Sequence, residues 1–309
     1  MIAASTHTRR APWILLAPFL LLFATFMVYP VVQSVFLSMQ QTFGPAHTRF
    51  VGAANYRNVV ADPLFWKSVR NTLVFTAASV FIQLPISLGL AILLNRSNLR
   101  GRAVLRAVFF APVLVGVVFV AMIFGVIFEK RTGLINQAMH TFVGWDLDFP
   151  WLQRYVMPAL IIASLWQYVG FNRVYFLGAL QVVRKELTEA ATIDGAGPWQ
   201  RFIHVIVPQI RPVATFVILL SIVGSFQLFE LPYVLFNATA GPDNRGLTMV
   251  MYLYQMGFDQ GDLGYASAVG WLLAVILIGF TILQRRLAGE QATSGARAGG
   301  LATKARVAP

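Results

Sequence analysis

The 309 residues are 57% hydrophobic and only 12% charged, with a mean hydropathy of +0.67 and a formal net charge of +12. Soluble domains carry about 25% charged residues, so lipid rather than water is the main solvent. The net positive charge fits the excess of Lys and Arg on the cytoplasmic loops of a polytopic membrane protein and needs no nucleic-acid partner. The absence of cysteine excludes a disulfide framework, a thiol nucleophile and a Cys-based metal site.

A helix needs roughly 20 mostly apolar residues to cross the hydrocarbon core. Six runs reach or approach that length: Trp13–Val35, Thr72–Leu94, Val104–Phe128, Val156–Leu180, Val213–Phe236 and Ala266–Leu283. The first follows Arg9-Arg10 like the front of a signal peptide. It is longer than a signal h-region and has no small-residue cleavage site, so it reads as a retained span. With the N-terminus inside, fifteen Lys and Arg fall on inside segments, eight fall outside, and Arg173 lies within a span. That bias predicts both termini in the cytoplasm. The expected organisation is a cytoplasmic N-terminus over 1–12, a membrane domain over 13–287, and a tail over 288–309. The tail is rich in Ala, Gly, Ser and Thr, and is expected to be disordered.

The segment 184–208, between the fourth and fifth spans, does not read as an ordinary loop. Glu186 to about Ile193 is rich in helix formers. Gly195 and Gly197 permit a sharp turn, and Pro198 suits the first position of a second helix. In that helix Trp199, Phe202, Ile203 and Ile206 make one apolar face, and Pro208 is expected to end it. An interfacial helix at the headgroups would account for Trp199 and Phe202, but not for the Glu-Ala-Ala helix and elbow before them. The small side chains of Ala190 and Ala191 favour a knob that another protein grips.

Glu189-Ala190-Ala191, Gly195 and Val205-Ile206-Val207-Pro208 resemble, in spacing, the signature of the integral-membrane subunits of binding-protein-dependent ABC importers. Val stands where the signature has Ile and Leu. Thr188 to Gly197, Pro208, Pro212, Asn71-Thr72, Trp166 to Phe171 and Gly224-Ser225-Phe226 are similar to the carbohydrate-uptake branch. Ala240-Gly241-Pro242 departs from that branch's Gly-Gly-Pro. The resemblance covers about Arg10 to Leu287 and looks like the first of the two permeases in such systems. It implies an all-α polytopic fold with six transmembrane helices in a bacterial inner membrane, and a cytoplasmic coupling helix before the fifth. In that reading Glu189, Ala190, Ala191, Asp194, Gly195, Ala196 and Phe202 meet a cytoplasmic ATPase. The implied partners are a second, distinct permease, two ATP-binding subunits and an extracytoplasmic solute-binding protein that delivers a sugar-like substrate. No cofactor is implied.

Polar groups at membrane depth usually face a cavity or a partner. The fourth span carries Gln167, Tyr168, Asn172 and Arg173; the fifth carries Ser221, Ser225, Gln227 and Glu230. Aromatic rings with amides and hydroxyls suit a sugar, and the resemblance makes Tyr168, Phe171, Asn172, Gly224, Gln227 and Glu230 the expected substrate pathway. The alternatives are helix-joining hydrogen bonds and mutual neutralisation of Arg173 and Glu230. The chain has no Gly-x4-Gly-Lys-Ser/Thr phosphate loop, no His-x3-His zinc pair and no Gly-x-Ser-x-Gly elbow, so no catalytic or metal residue is expected and ATP hydrolysis falls to another chain. A secondary transporter driven by an ion gradient would call for paired intramembrane carboxylates; only Glu230 lies in a span.

Overall fold

The computed structural model describes residues 11–43, 47–96 and 98–305. Arg9, Arg10 and Arg306, which enter the charge bias, and residues 1–10 of the expected N-terminal segment lie outside them. In chain order the elements are α1 (Ala11–Phe23), α2 (Tyr29–Ser38), β1 (Gln40–Phe43), β2 (His47–Phe50), α3 (Ala54–Ala61), α4 (Pro63–Ala78), α5 (Leu84–Asn95), α6 (Arg102–Leu114), α7 (Val117–Ile127) and α8 (Leu134–Val143). They continue with α9 (Val156–Gln181), α10 (Lys185–Ile193), α11 (Pro198–Arg201), α12 (Val207–Phe226), α13 (Glu230–Leu235), α14 (Met249–Tyr254) and α15 (Leu263–Ala305). Two compact units emerge: Met1–Phe65 with Tyr252–Val275, and Trp66–Met251 with Ile276–Pro309.

Three pairs of helices are joined without a break by widened π turns, at Ala24–Val28, Ser79–Gln83 and Phe202–Ile206. Each is followed, two residues after its end, by a proline: Pro30, Pro85 or Pro208. A helical proline has no N–H to give the carbonyl four residues back, and its ring crowds that carbonyl. Here that carbonyl belongs to Phe26, Phe81 or His204, in the middle of each π turn, and the wider turn makes room for the ring. Contrary to the sequence expectation, Pro208 therefore does not end the helix. Helix continues from Pro198 to Phe226, 29 residues in all.

In the first unit, the apolar rod Leu15–Ser38 leads into an antiparallel hairpin with Gln40 opposite Phe50, a small departure from the all-α expectation. Asn55 Nδ2 donates to the carbonyls of Ser38 and Gln40 at 2.9 and 2.8 Å, holding the rod's end. The Asp62 carboxylate accepts from the buried Tyr252 hydroxyl, which also meets that of Tyr265 at 2.8 Å. A Cβ on Gly264 would stand 1.8 Å from the Gln40 carbonyl oxygen, so only glycine fits there.

In the second unit, α9 is the axis, with twelve buried residues along its 26. Its first half joins α7 and α13 in an apolar cluster that includes Phe124, Phe128, Leu160, Ala163, Leu231 and Leu235. Its second half joins α5 and α12 in another, with Leu84, Ala91, Phe176, Leu180, Ile210 and Val217. α6 crosses α9 so closely that a Cβ on Gly170 would fall 1.6 Å from the Phe109 carbonyl oxygen. Close backbone approach at small residues is the usual way helices associate in lipid, where hydrophobic driving force between helices is lacking.

Among the described residues, four helical segments can cross a membrane by length and composition: Leu15–Ser38, Pro63–Asn95, Pro198–Phe226 and Leu263–Gln284. A fifth crossing is possible if the bent pair α6 and α7 counts as one. The fold is thus an all-α polytopic membrane protein, with boundaries that differ from the sequence reading. The second segment opens at Pro63 rather than Thr72, and the last opens at Leu263 rather than Ala266. The expected straight run Val104–Phe128 is bent by 98° between Leu114 and Val117, where Pro112 has already weakened the ladder and Gly116 is extended. The expected run Val213–Phe236 stops at Phe226 and resumes at Glu230. α15 continues to Ala305, past the Leu287 boundary, through a stretch whose alanines favour helix.

Replacing Gly170 by Val should lower the melting temperature of the purified protein in detergent by several degrees. Overpacking costs about 1–3 kcal/mol or more, and the obstacle here is backbone, which cannot swing aside. Gly178→Val, one helix face away with open space around its Cβ position, is the control expected to melt near wild type.

Candidate functional site

Between the two apolar clusters lies a cavity of about 400 Å³, walled by the end of α4 and its π turn, α9, α12, and the break before α13. All six residues expected on the pathway line it: Tyr168, Phe171 and Asn172 from α9, Gly224 from α12, Gln227 from the break and Glu230 from the start of α13. Phe171 meets Tyr175 edge-on at 5.4 Å between ring centroids, which steadies its own ring.

The break at 227–229 puts backbone beside this cavity. Gln227 N–H donates to the carbonyls of Val223 and Gly224, and the Leu228 carbonyl accepts from Thr248 Oγ1 at 2.6 Å. The bend at Val115 is handled in the same way: its carbonyl accepts from Gln167 Nε2 at 3.3 Å. Irregular backbone at membrane depth survives only where such partners or a wet cavity meet its polar groups.

Three polar wall residues were not singled out in the sequence: Ser79, Gln83 and Ser164. Ser164 donates to Gln83 Oε1 at 3.2 Å, and the hydroxyls of Ser79 and Ser221 meet at 2.7 Å. Ser79, Gln83 and Ser164 are all buried. The available signal was Pro85: a proline in an apolar run marks a widened turn just before it, and Ser79 to Gln83 are that turn. Arg173 does not pair with Glu230. It is buried, donates to the carbonyls of Gly170 and Arg106 at 3.3 and 3.2 Å, and binds α9 to α6.

The second candidate feature is the segment 184–208. α10 has no buried residue, and Glu189, Ala190, Asp194 and Gly195 are exposed while Ala191, Ala196 and Phe202 are half-buried. Gly195 has φ +81, the left-handed region that glycine enters without steric cost. The elbow is closed by Gly195 N–H to the Thr192 carbonyl at 3.1 Å and Ala196 N–H to Ala191 at 2.9 Å. Arg201 Nη1 reaches back from α11 to Thr192 Oγ1 at 2.6 Å, and Gln200 Oε1 accepts the Gly197 N–H at 2.9 Å. Trp199 stacks on Phe202 at 5.6 Å. Ile193 is 87% and Trp199 70% exposed, so the rigid elbow carries large apolar groups outward.

The loop around Ala240-Gly241-Pro242 accommodates its departure from Gly-Gly-Pro. Gly241 has φ +70, whereas Ala240 has no positive φ and is buried, so a methyl group is accommodated at 240. Asn71 Nδ2 donates to the carbonyls of Asn244 and Leu247, and Thr72 Oγ1 accepts the Met249 N–H at 3.1 Å. Asn71-Thr72 thus ties this loop to α4.

Residues 83–290 match the protein family described as binding-protein-dependent transport system inner membrane component. The chain is 35% identical over 283 residues, 91% of its length and 90% of the relative's, to an arabinooligosaccharides transport system permease protein of Bacillus subtilis (strain 168). It is 31% identical over 286 residues, 90% and 94% of the two lengths, to a lactose transport system permease protein of Rhizobium radiobacter. Its fold is similar to a chain in the crystal structure of a bacterial alginate ABC transporter in complex with a pentasaccharide-bound periplasmic protein. The TM-score is 0.78 at 19% identity, over 91% of this chain and 95% of that one.

Gln83→Leu should destabilise the protein by about 1–3 kcal/mol, because it strips a buried acceptor from the Ser164 hydroxyl. Thermal unfolding of the variant checks this, and the double variant Gln83→Leu with Ser164→Ala should recover part of the loss.

Proposed function

The chain belongs to the family of binding-protein-dependent transport system inner membrane components, and from that membership we propose a sugar pathway through the 400 Å³ cavity and a motor contact at residues 184–208. It is the membrane permease subunit of an ABC importer in a bacterial inner membrane, working with a separate ATPase, a second permease and an extracytoplasmic binding protein. It hydrolyses no ATP itself.

The observation that carries the mechanism is one uninterrupted helix. From Pro198 at the elbow to Phe226 at the cavity rim, 29 residues span about 43 Å at 1.5 Å per residue. A displacement of the elbow is therefore delivered to Gly224 and Gln227 without an intervening loop. In the proposed cycle two ATPases close on ATP and carry the elbow with them. α10 seats in an ATPase cleft through the exposed face of Glu189 and Ala190, with Asp194, Ala196 and Phe202 beside the elbow. The cavity then opens outward to receive solute from the binding protein, and opens inward after hydrolysis.

Six crossings follow if the bent pair α6 and α7 is one span and α9 is another. α9 fails a hydropathy test because its polar residues turn toward neighbouring helices and the cavity rather than lipid, while its 26 residues exceed the required length. Both termini and the 184–208 segment lie in the cytoplasm in this reading. The relatives' sugar substrates, with the ring-and-amide chemistry of Tyr168, Phe171, Asn172 and Gln227, point to a saccharide or related polyol as cargo. An ion-gradient mechanism finds no pair of carboxylates on the cavity wall among the described residues.

Affinity purification of the chain expressed with its genomic neighbours tests the motor contact. Wild type should bring down a cytoplasmic ATPase, and Glu189→Lys with Gly195→Trp should lose it; an ATPase retained by both would remove this segment as the docking site. Gly195→Trp alone should lower solute uptake more than tenfold while ATP hydrolysis by the assembled complex continues, the signature of uncoupling. Wild-type uptake in that variant would refute the lever.

A further inference from the structure

The hydrogen-bonding capacity of the cavity wall is unevenly committed, and that asymmetry bears on the cargo. Gln167 is 2% exposed. Its Nε2 donates to the Val115 carbonyl, the group freed by the bend in the third span, while its Oε1 has no partner. The amide cannot turn round without setting its oxygen against the Val115 carbonyl oxygen, so the bend fixes which end is left over. The Ser164 hydrogen is spent on Gln83 Oε1. Ser79 and Ser221 share one hydrogen bond with each other. What lines the cavity beyond these is neutral but for one group: the Tyr168 hydroxyl and the Asn172 and Gln227 amides, which can both donate and accept, and the carboxylate of Glu230, while Gln167 Oε1 is buried out of a solute's reach. Among the described residues no Lys, Arg or His lines the cavity, and Glu230 is its one ionisable carboxyl group. Arg173, the cation nearest in sequence, is turned into α6 and does not line it.

An uncharged polyhydroxylated solute brings hydroxyl donors to such a wall. A phosphate ester or a uronate brings a further negative charge for which the wall holds no cation, in surroundings where unpaired charge is costly. Resting on the reading of this cavity as the solute pathway, we infer that this chain is built for neutral saccharides and discriminates against anionic ones, with Glu230 as the residue that repels anions.

The test is equilibrium binding to the purified complex of both permeases and both ATPases, with the solute-binding protein omitted so that only the transmembrane site reads out. Radiolabelled lactose, raffinose and arabinotriose serve as neutral probes, and glycerol 3-phosphate and digalacturonate as anionic ones, measured by scintillation proximity. At least one neutral probe should bind saturably, about tenfold or more tighter than either anion. Glu230→Lys should shift the anionic-to-neutral affinity ratio toward the anions by about tenfold or more. Anions bound as tightly as neutral sugars by the wild type, or a ratio unmoved by Glu230→Lys, would overturn the inference and leave the importer reading standing. Failure of the reading beneath it looks different. A complex that assembles and hydrolyses ATP, yet binds no probe of either class, would remove the cavity as the solute site and this inference with it.

Discussion

Every backbone N–H and C=O that leaves a helix at membrane depth must find a partner inside the protein, because lipid offers none. The second unit depends on that constraint. Its two interruptions, at Val115–Gly116 and at Gln227–Phe229, expose carbonyls that Gln167 and Thr248 then take up. The same two interruptions give the cavity part of its wall, through Val117 on one side and Gln227 to Glu230 on the other. A chain of straight helices would need neither side chain and would have no comparable recess. The polar residues of the site are therefore partly structural supports: Gln167 satisfies a bend with one end of its amide, and its other end stays buried without a partner.

One continuous helix, Pro198–Phe226, joins the elbow to the cavity wall. α9 remains in place, gripped by apolar clusters at both ends and by Arg173 across to α6. α12 shares only the second of those clusters, and its far end stops at the 227–229 break rather than continuing into α13. This combination of a clamped helix beside one that is long, continuous and free to end within the wall suits a part that has to transmit displacement.

Much of this was legible in the sequence, for identifiable reasons. The apolar runs located every long helix, since length and hydropathy are direct consequences of the bilayer's thickness. The Glu189 to Gly195 spacing located the elbow because only glycine enters φ +81 without strain. The six pathway positions came from the family resemblance, together with the polarity of spans 4 and 5. Less legible were features in which a proline bends or widens a helix without ending it. Pro208 read as a stop because proline usually is one; in a helix that widens before it, the missing hydrogen bond is absorbed. Gln83 and Ser164 escaped notice because single polar residues in an apolar run give no sign of which neighbour they face. The bend at Val115 was hidden by a run of apolar residues that continues through it unchanged.

The three proline-widened turns also alter how each helix is read along its length. An α-helix advances 100° per residue, and a π turn accommodates one extra residue, so the side-chain pattern beyond it is rotated by about one residue step. A single rod can thus face lipid with one stripe before the turn and with a different stripe after it. A substitution scan that extrapolates one helical period through Pro30, Pro85 or Pro208 would assign the wrong side chains to the lipid face in half of each rod. Scored as two phases meeting at the turn, the same scan would give a consistent lipid-facing stripe on each side.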